Sequence, residues 1–201
     1  MPEVKFMVTT VATPHQGQAA NLAPVLSDLS KEVRKNSSAV MVRLGRLASG
    51  SRAGQFLFMQ AYKSMADIEA TYDYLAASTT YAEALKLGTP TARGIGRTLM
   101  WEPNTTSINP KYMVLTRFSA DTPLVDEAKH ILGIMKENGA LGGGFSVSMT
   151  GPIVGKYRLG VGYPSMAAIE ASYDAAQEDS VFQSTLAKVN LDFRNIVRIL
   201  D

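Results

Sequence analysis

The sequence predicts an α+β protein built from two similar βαββαβ repeats. A ten-residue segment that begins at Ser64 returns at Ser165, with eight of its ten residues unchanged. From Gly54 and Gly155 onward, the same offset of 101 residues gives 15 identities in 47 positions, whereas about three are expected by chance. Short β-rich segments alternate with segments of helical periodicity in both halves. The chain is therefore predicted to be a tandem duplication.

The first repeat is predicted over residues 1–101. A β-rich strand at 4–11 is followed by a helix whose apolar residues recur at three- and four-residue steps after Asn21, a good N-cap. Two strands come next, and Ser64 then caps a second helix. A last strand closes the repeat; the three later strands are expected at 39–47, 55–62 and 93–100.

The second repeat, predicted over residues 111–201, gives the same order. Its first helix is opened by the segment Asp121-Thr122-Pro123, and its second helix is capped by Ser165. The four strands are expected at 112–118, 145–150, 156–163 and 194–200. Residues 102–110 between the repeats are polar and bounded by prolines, which is typical of a linker.

A βαββαβ unit of this length is the ferredoxin-like pattern, in which both helices cover one face of an antiparallel sheet. The free face of such a sheet needs cover if it is apolar. Whichever way the third strand is turned, Phe56, Phe58 and Tyr62, or Leu57 and Met59, must lie on that face. Two repeats packed sheet to sheet would bury both faces in an internal, pseudo-dimeric barrel.

The strand and helix around Tyr62 to Ala70, repeated at Tyr163 to Ala171, resemble the third strand and second helix of dimeric α+β barrel proteins. That superfamily includes antibiotic-biosynthesis-type monooxygenases, NIPSNAP-like proteins, muconolactone isomerases and stress-responsive barrel proteins. The resemblance covers both repeats and implies a barrel that binds a small molecule. It does not select one chemistry, because fold alone does not fix function.

The composition narrows the classes of partner. Twenty basic against eighteen acidic residues leave a charge of only +2, without the Lys or Arg clusters that nucleic-acid binding needs. No apolar run is long enough to span a membrane or act as a signal peptide, so a cytoplasmic location is expected. The absence of cysteine excludes disulfides and thiolate metal sites.

The two histidines give little support for a metal or haem site. His130 is expected on the outer face of a helix, in solvent. His15 lies in a loop after the first strand and is a candidate ligand contact at the mouth of the barrel. Neither has a partner at metal-ligand spacing, so no metal and no cofactor are predicted.

The last strand of each repeat supplies the candidate binding residues. Alternation puts Arg97 on one face with Ile95 and Leu99, and Arg198 on the matching face of the second copy, which we assign to the lumen. There the arginines would hold an anionic or enolisable ligand, with Tyr62, Tyr163 and His15 at the rim. In the alternative, both arginines pair with protein carboxylates or lie in solvent. Arg43 and Arg158 also alternate with small or apolar residues, and can point inward as well.

Three other features are interpreted structurally. The run Gly142-Gly143-Gly144 is expected to form a turn, because the Lys-Ser/Thr of a phosphate loop is missing. Trp101, the single tryptophan, is expected to pack at the seam between repeats. Carboxylates one turn apart on the second helix of each repeat are expected to be solvated or ion-paired: Glu69, Asp73, Glu170 and Asp174.

Three functions remain open at this point. The first is a small-molecule-binding barrel whose ligand is apolar or aromatic and carries an anionic or enolisable group. The second is a cofactor-independent monooxygenase or isomerase, in which the cavity supplies orientation and dryness. The third is a structural protein with a packed interior, and a homodimer of the whole chain is compatible with all three. A cavity with convergent polar groups would favour the first two.

Overall fold

A computed structural model of the chain describes residues 4–201, so the predicted start of the first repeat at residue 1 lies outside the described part. The first repeat contains four strands, β1 to β4, and three helices, α1 to α3. In chain order they are β1 (Phe6–Pro14), α1 (Ala19–Asn36), β2 (Met41–Leu47), β3 (Phe56–Tyr62), α2 (Met65–Ala77), α3 (Thr79–Leu87) and β4 (Gly88–Glu102).

The second repeat has the same order of elements. It comprises β5 (Tyr112–Ser119), α4 (Val125–Glu137), β6 (Gly142–Ser148), β7 (Tyr157–Tyr163), α5 (Met166–Gln177), α6 (Ser180–Ala187) and β8 (Asn190–Ile199). Each repeat therefore carries one helix more than the predicted βαββαβ unit. The extra helices are short and begin at side-chain caps, Ser78 accepting from the amide of Tyr81 and Asp179 from that of Phe182.

The eight strands close into one antiparallel barrel in the order β1-β3-β2-β8-β5-β7-β6-β4. Each repeat supplies a four-stranded sheet, and the two sheets join where β4 pairs with β6 and where β2 pairs with β8. The predicted α+β barrel of two ferredoxin-like repeats is thus confirmed. A closed barrel has no free strand edges.

The helices lie outside the barrel and pack on the outer faces of the strands. Ser64 and Ser165 cap α2 and α5 by accepting from backbone amides at 3.1 Å, as predicted. Asn21 is not an N-cap, because α1 already begins after Gln18 and Asn21 instead donates to that side chain at 2.8 Å. Helical periodicity identified the helix and missed its first turn.

The seam between β2 and β8 is short and is reinforced by Asp201. Its carboxylate accepts hydrogen bonds from Ser30 Oγ at 2.5 Å, from Arg34 Nη2 at 2.6 Å and from the amide of Leu44 at 3.0 Å. Three donors of the first repeat therefore hold the end of the second.

Candidate functional site

The two repeats present different side chains to the lumen. Where β2 and β3 carry Met41, Arg43 and Met59, the equivalent strands β6 and β7 carry mainly glycine and serine. The inward positions of these two strands are Gly142, Gly144, Ser146 and Ser148 on β6, and Arg158, Gly160 and Gly162 on β7. A barrel wall without side chains leaves space, so the duplication produces one asymmetric cavity.

That cavity has a volume of about 360 Å³, within the range of small-molecule sites. Its mouth lies at Val40, Leu141 and the linker between the repeats, and its deepest lining residues are Thr9, Leu115 and Arg158. From Gly162 at the mouth to Arg158 at the floor the strand descends about 13 Å, at about 3.3 Å per residue. The wall is largely apolar and includes four methionines: Met7, Met41, Met59 and Met113.

Arg158 is the main polar group of the floor. Its residue is 7% exposed, and its Nη1 donates to Thr9 Oγ1 at 2.8 Å. Among residues 4–201, no acceptor meets Nε or Nη2 of Arg158, and the hydroxyls of Thr98 and Ser148 are also buried without a partner. A buried guanidinium with free donors is unusual unless a ligand, an ion or ordered water satisfies it.

The charges around Arg158 do not neutralise it. Burial, together with the nearby charge of Arg117, lowers the pKa of Arg158 to about 10, so it stays protonated at neutral pH. Arg117 is paired with Asp192 at 2.9 Å, and that carboxylate is shared with Lys156 at 3.1 Å. The carboxylate of Asp192, below the cavity, is therefore already paired with other cations.

Arg43 is the second cation of the cavity. It lies half-buried on the wall, and its Nη1 donates to the carbonyl of Val42 at 3.3 Å. The carboxylate that lines the mouth, Glu102, pairs with Lys136 at 2.8 Å. The lining thus carries an excess of positive charge.

Trp101 lines the mouth of the cavity because β4 contains a bulge. Thr98 pairs with Ser146 and Met100 pairs with Phe145, so Leu99 is the extra residue. Without it, alternation from the inward Thr98 would turn Trp101 outward. The indole lies against Gly144, where a Cβ would be 2.8 Å from a ring carbon. Trp101 lies at the seam between the repeats as expected, since it pairs with Gly144 where β4 meets β6. The run Gly142-Gly143-Gly144 was expected to form a turn and is instead part of β6 and of the cavity wall.

The predicted placement of Arg97 and Arg198 in the lumen is wrong. The inward residues of these strands are their neighbours, Thr98 and Ile199, which line the cavity, while both arginines are exposed on the outer surface. Gly96 faces inward, against the guanidinium of Arg158. β4 carries small residues on its inward face because the side chain of Arg158 crosses the barrel there.

The other predicted rim residues also lie elsewhere. Tyr62 and Tyr163 are fully buried between sheet and helices, where burial raises the pKa of Tyr62 to about 12 and also raises the pKa of Tyr163. His15 is exposed at the far end of β1, with its ring nitrogens 3.0 Å from Lys86 O and from Thr89 Oγ1. None of the five predicted site residues therefore lines the cavity.

The sequence contains part of the evidence for the residues that line the cavity. Arg43 and Arg158 were identified by alternation with small or apolar neighbours, and the structure places both on the lumen. The glycines of β6 and β7, set against bulky residues at the equivalent positions of β2 and β3, were the missed indication of a cavity.

The histidines do not approach the cavity. His130 lies on the surface of α4, with Nε2 at 3.1 Å from Asp179 Oδ2. The carboxylates on α2 and α5, which were expected to be solvated or ion-paired, are exposed. Within residues 4–201 no three His, Asp or Glu side chains gather as a metal site. No helix of the described chain is long and apolar enough to cross a bilayer.

The family described as "Domain of unknown function (DUF6854)" matches residues 4–98 and 110–199, which correspond to the two repeats. The chain belongs to this family. This DUF6854 protein has no match among curated protein sequences.

Several solved structures share the fold of the DUF6854 chain. A candidate monooxygenase from Fusobacterium nucleatum is 10% identical, with a TM-score of 0.74 over 100% of this chain and 94% of that one. An anthrone oxidase-like protein is 14% identical, with a TM-score of 0.61 over 99% and 92%. A heme-binding protein from Thermus thermophilus is 10% identical, with a TM-score of 0.58 over 99% and 92%. At these identities the likeness shows the dimeric α+β barrel fold alone.

Proposed function

We propose that this DUF6854 protein is a small-molecule-binding barrel whose ligand has an apolar or aromatic body and an anionic or enolisable group. The observation that carries the proposal is the cavity that ends on Arg158, a buried cation with unused donors. Methionine and tryptophan on the wall suit a flat or irregular apolar body. A protein with a packed interior, the third function considered, would need no such space.

Trp101 provides a direct test of binding, because it is the single tryptophan and lines the mouth. Carboxylated and phenolic naphthalenes should change its fluorescence and release or absorb heat in calorimetry. Gly160→Val should abolish both signals, since a Cβ there has ordinary contacts, 3.4 Å from Met113 Sδ, and the added methyl groups enter the cavity. Gly133→Ala, on α4 with open space around it, is the matched control. Equal binding by both variants would refute a lumen site.

The second candidate is a cofactor-independent monooxygenase or isomerase. It is favoured by the cationic floor at Arg158, which would stabilise the enolate or phenolate of a reactive substrate. Two fold neighbours are named as a candidate monooxygenase and an anthrone oxidase-like protein. The oxygenase activity is tested by measuring oxygen consumption with hydroxyarenes as substrates, for the parent and for Arg158→Gln. If the rate is the same without protein, oxygenase activity on those substrates is excluded.

A haem function suggested by the Thermus neighbour does not fit the donors of this cavity. Haem iron takes an axial His, Cys or Tyr, or Met together with His. The described lining offers methionines without any of the other three. Tyr62, Tyr163 and both histidines lie outside the lumen, as described above, so we assign haem no role here.

A homodimer of the whole chain and a cytoplasmic location also stay proposals. Since the closed barrel has no free strand edge, a dimer would have to form through helices or loops. Exposed apolar residues recur at the same positions of both repeats: Met65, Met166, Leu85 and Leu186. Sedimentation velocity of the full chain tests association, and fractionation of the source cells tests location.

A further inference from the structure

We infer that the lumen binds the deprotonated form of its ligand and lowers the ligand's own pKa, with the anionic oxygen held at Arg158. The inference rests on the proposed small-molecule site and adds the charge state and the orientation of the ligand. The expected ligands are phenols and enols that ionise near neutral pH. They enter the lumen with the oxygen first.

The first argument is the geometry of the guanidinium. Arg158 starts on β7, passes Ser146 on β6 and lies over Gly96 on β4, so that Nη1 reaches Thr9 on β1. A Cβ at Gly96 would collide with Nη2. The guanidinium is therefore fixed in direction by one hydrogen bond and one glycine, and Nε and Nη2 have no acceptor among the described residues.

The second argument is the neutral polar groups beside it. Thr98 lines the cavity, Ser148 lies just deeper, and both hydroxyls are buried without partners in the described chain. A hydroxyl can donate to an anionic oxygen while its own acceptor sites stay idle. Two or three converging donors around one charge form an anion subsite rather than a general polar pocket.

The third argument is the balance of charge around the floor. The groups that face Arg158 are Arg117 below and Arg43 on the wall, while Asp192 is committed to Arg117 and Lys156, and Glu102 at the mouth to Lys136. A neutral ligand would leave the charge of the buried Arg158 uncompensated. An anion compensates it, so binding favours ionisation.

The ionisation step itself is simple. The ligand's O–H bond breaks, its electron pair stays on the oxygen beside Arg158, and the proton leaves to water through the mouth. A bound pKa one unit below the free value means tenfold tighter binding of the anion than of the neutral form. For an enolisable substrate this step would deliver the electron-rich form that later chemistry requires.

The test uses 4-nitrophenol, whose anion absorbs visible light, and its neutral analogue 4-nitrotoluene. Spectrophotometric pH titration of the bound phenol should give a pKa at least one unit below the free value. Arg158→Gln should remove this shift, and Arg97→Gln, which deletes an equal but exposed charge, should keep it. Gly96→Ala, which displaces the guanidinium and keeps its charge, should reduce the shift and serves if Arg158→Gln does not fold.

The outcomes separate this inference from the proposed function. If both probes bind the parent and fail to bind Gly160→Val, yet the pKa of 4-nitrophenol is unchanged, the binding site stands and the anion subsite is refuted. An unchanged shift in Arg158→Gln refutes the role of Arg158. If neither probe binds the parent, both the inference and the proposed site fail for this ligand class.

Discussion

Nη1 of Arg158 donates to Oγ1 of Thr9 over 2.8 Å, which joins the third strand of the second repeat to the first strand of the first. The equivalent of Arg158 in the first repeat is Leu57, 101 positions earlier, and the equivalent of Gly144 is Arg43. Two identical subunits would place every lumen residue twice about a twofold axis. In a single fused chain the two halves can carry different lumen residues. Here one half fills the barrel and the other leaves a cavity.

Arg158 should cost stability, because it is a buried cation without a carboxylate. We expect Arg158→Met to raise the free energy of unfolding by about 1–3 kcal/mol, since an apolar side chain of similar length can occupy the same space. Urea denaturation at pH 7 measures the change. Arg97→Met, at an exposed position of β4, should stay within about 0.5 kcal/mol. A clear loss of stability in Arg158→Met would mean that the guanidinium is a structural support.

Gly144 and Gly160 are directly paired across β6 and β7 and form a matched pair of variants. A Cβ at Gly144 would meet the indole of Trp101 at 2.8 Å. One at Gly160 would make ordinary contacts, with Met113 Sδ at 3.4 Å and Leu115 Cδ1 at 3.9 Å. We expect Gly144→Ala to destabilise the protein by about 1–3 kcal/mol and to shift the Trp101 emission. Gly160→Ala should be neutral or stabilising, because alanine replaces glycine in an extended strand. Equal effects of the two substitutions would contradict the position of the indole.

The carboxylate of Asp201 should be important for closing the barrel at the short β2–β8 seam. Asp201→Asn keeps the shape and removes the charge that meets Arg34, and we expect a loss of about 2–4 kcal/mol in urea unfolding. Asp28→Asn is the control, since its ion pair with Lys31 is 67% exposed on both sides and contributes little. A loss below about 1 kcal/mol for Asp201→Asn would show that the strand ladder closes the seam without this carboxylate.

The fold could be predicted from the sequence because the same periodic pattern of hydrophobic residues occurs in both repeats. The serine caps at Ser64 and Ser165 were predicted for the same reason, since capping is a local property of the chain. The extra helices were missed because each is only about two turns long and begins within three residues of the end of the helix before it. Local signals of that strength are decided by packing.

The site was predicted only in part, because alternation gives two faces and does not say which is inside. Arginine beside isoleucine looked like a lumen face, but Arg93 stacks over Tyr72 and Tyr81 of the helices, at 5.6 and 5.8 Å. Arg194 stacks in the same way over Tyr173 at 4.7 Å. The outer face of these strands is therefore amphipathic, with cation–π contacts beneath the helices. The bulge at Leu99 that turns Trp101 inward has no sequence signature.

The buried tyrosines predict how stability depends on alkaline pH. Burial raises the pKa of Tyr62 to about 12, whereas the unfolded value is about 10. Below pH 10 Tyr62 is protonated in both the folded and the unfolded state. Between pH 10 and 12 it is protonated in the folded state only. The stability that Tyr62 contributes is therefore lost as the pH rises, by about 2–3 kcal/mol at most. Urea unfolding between pH 8 and 11 should show a shallower decline for Tyr62→Phe than for the parent. Gly133→Ala, which changes no ionisable group, should decline like the parent. Parallel curves for Tyr62→Phe and the parent would show that Tyr62 ionises freely in the folded state.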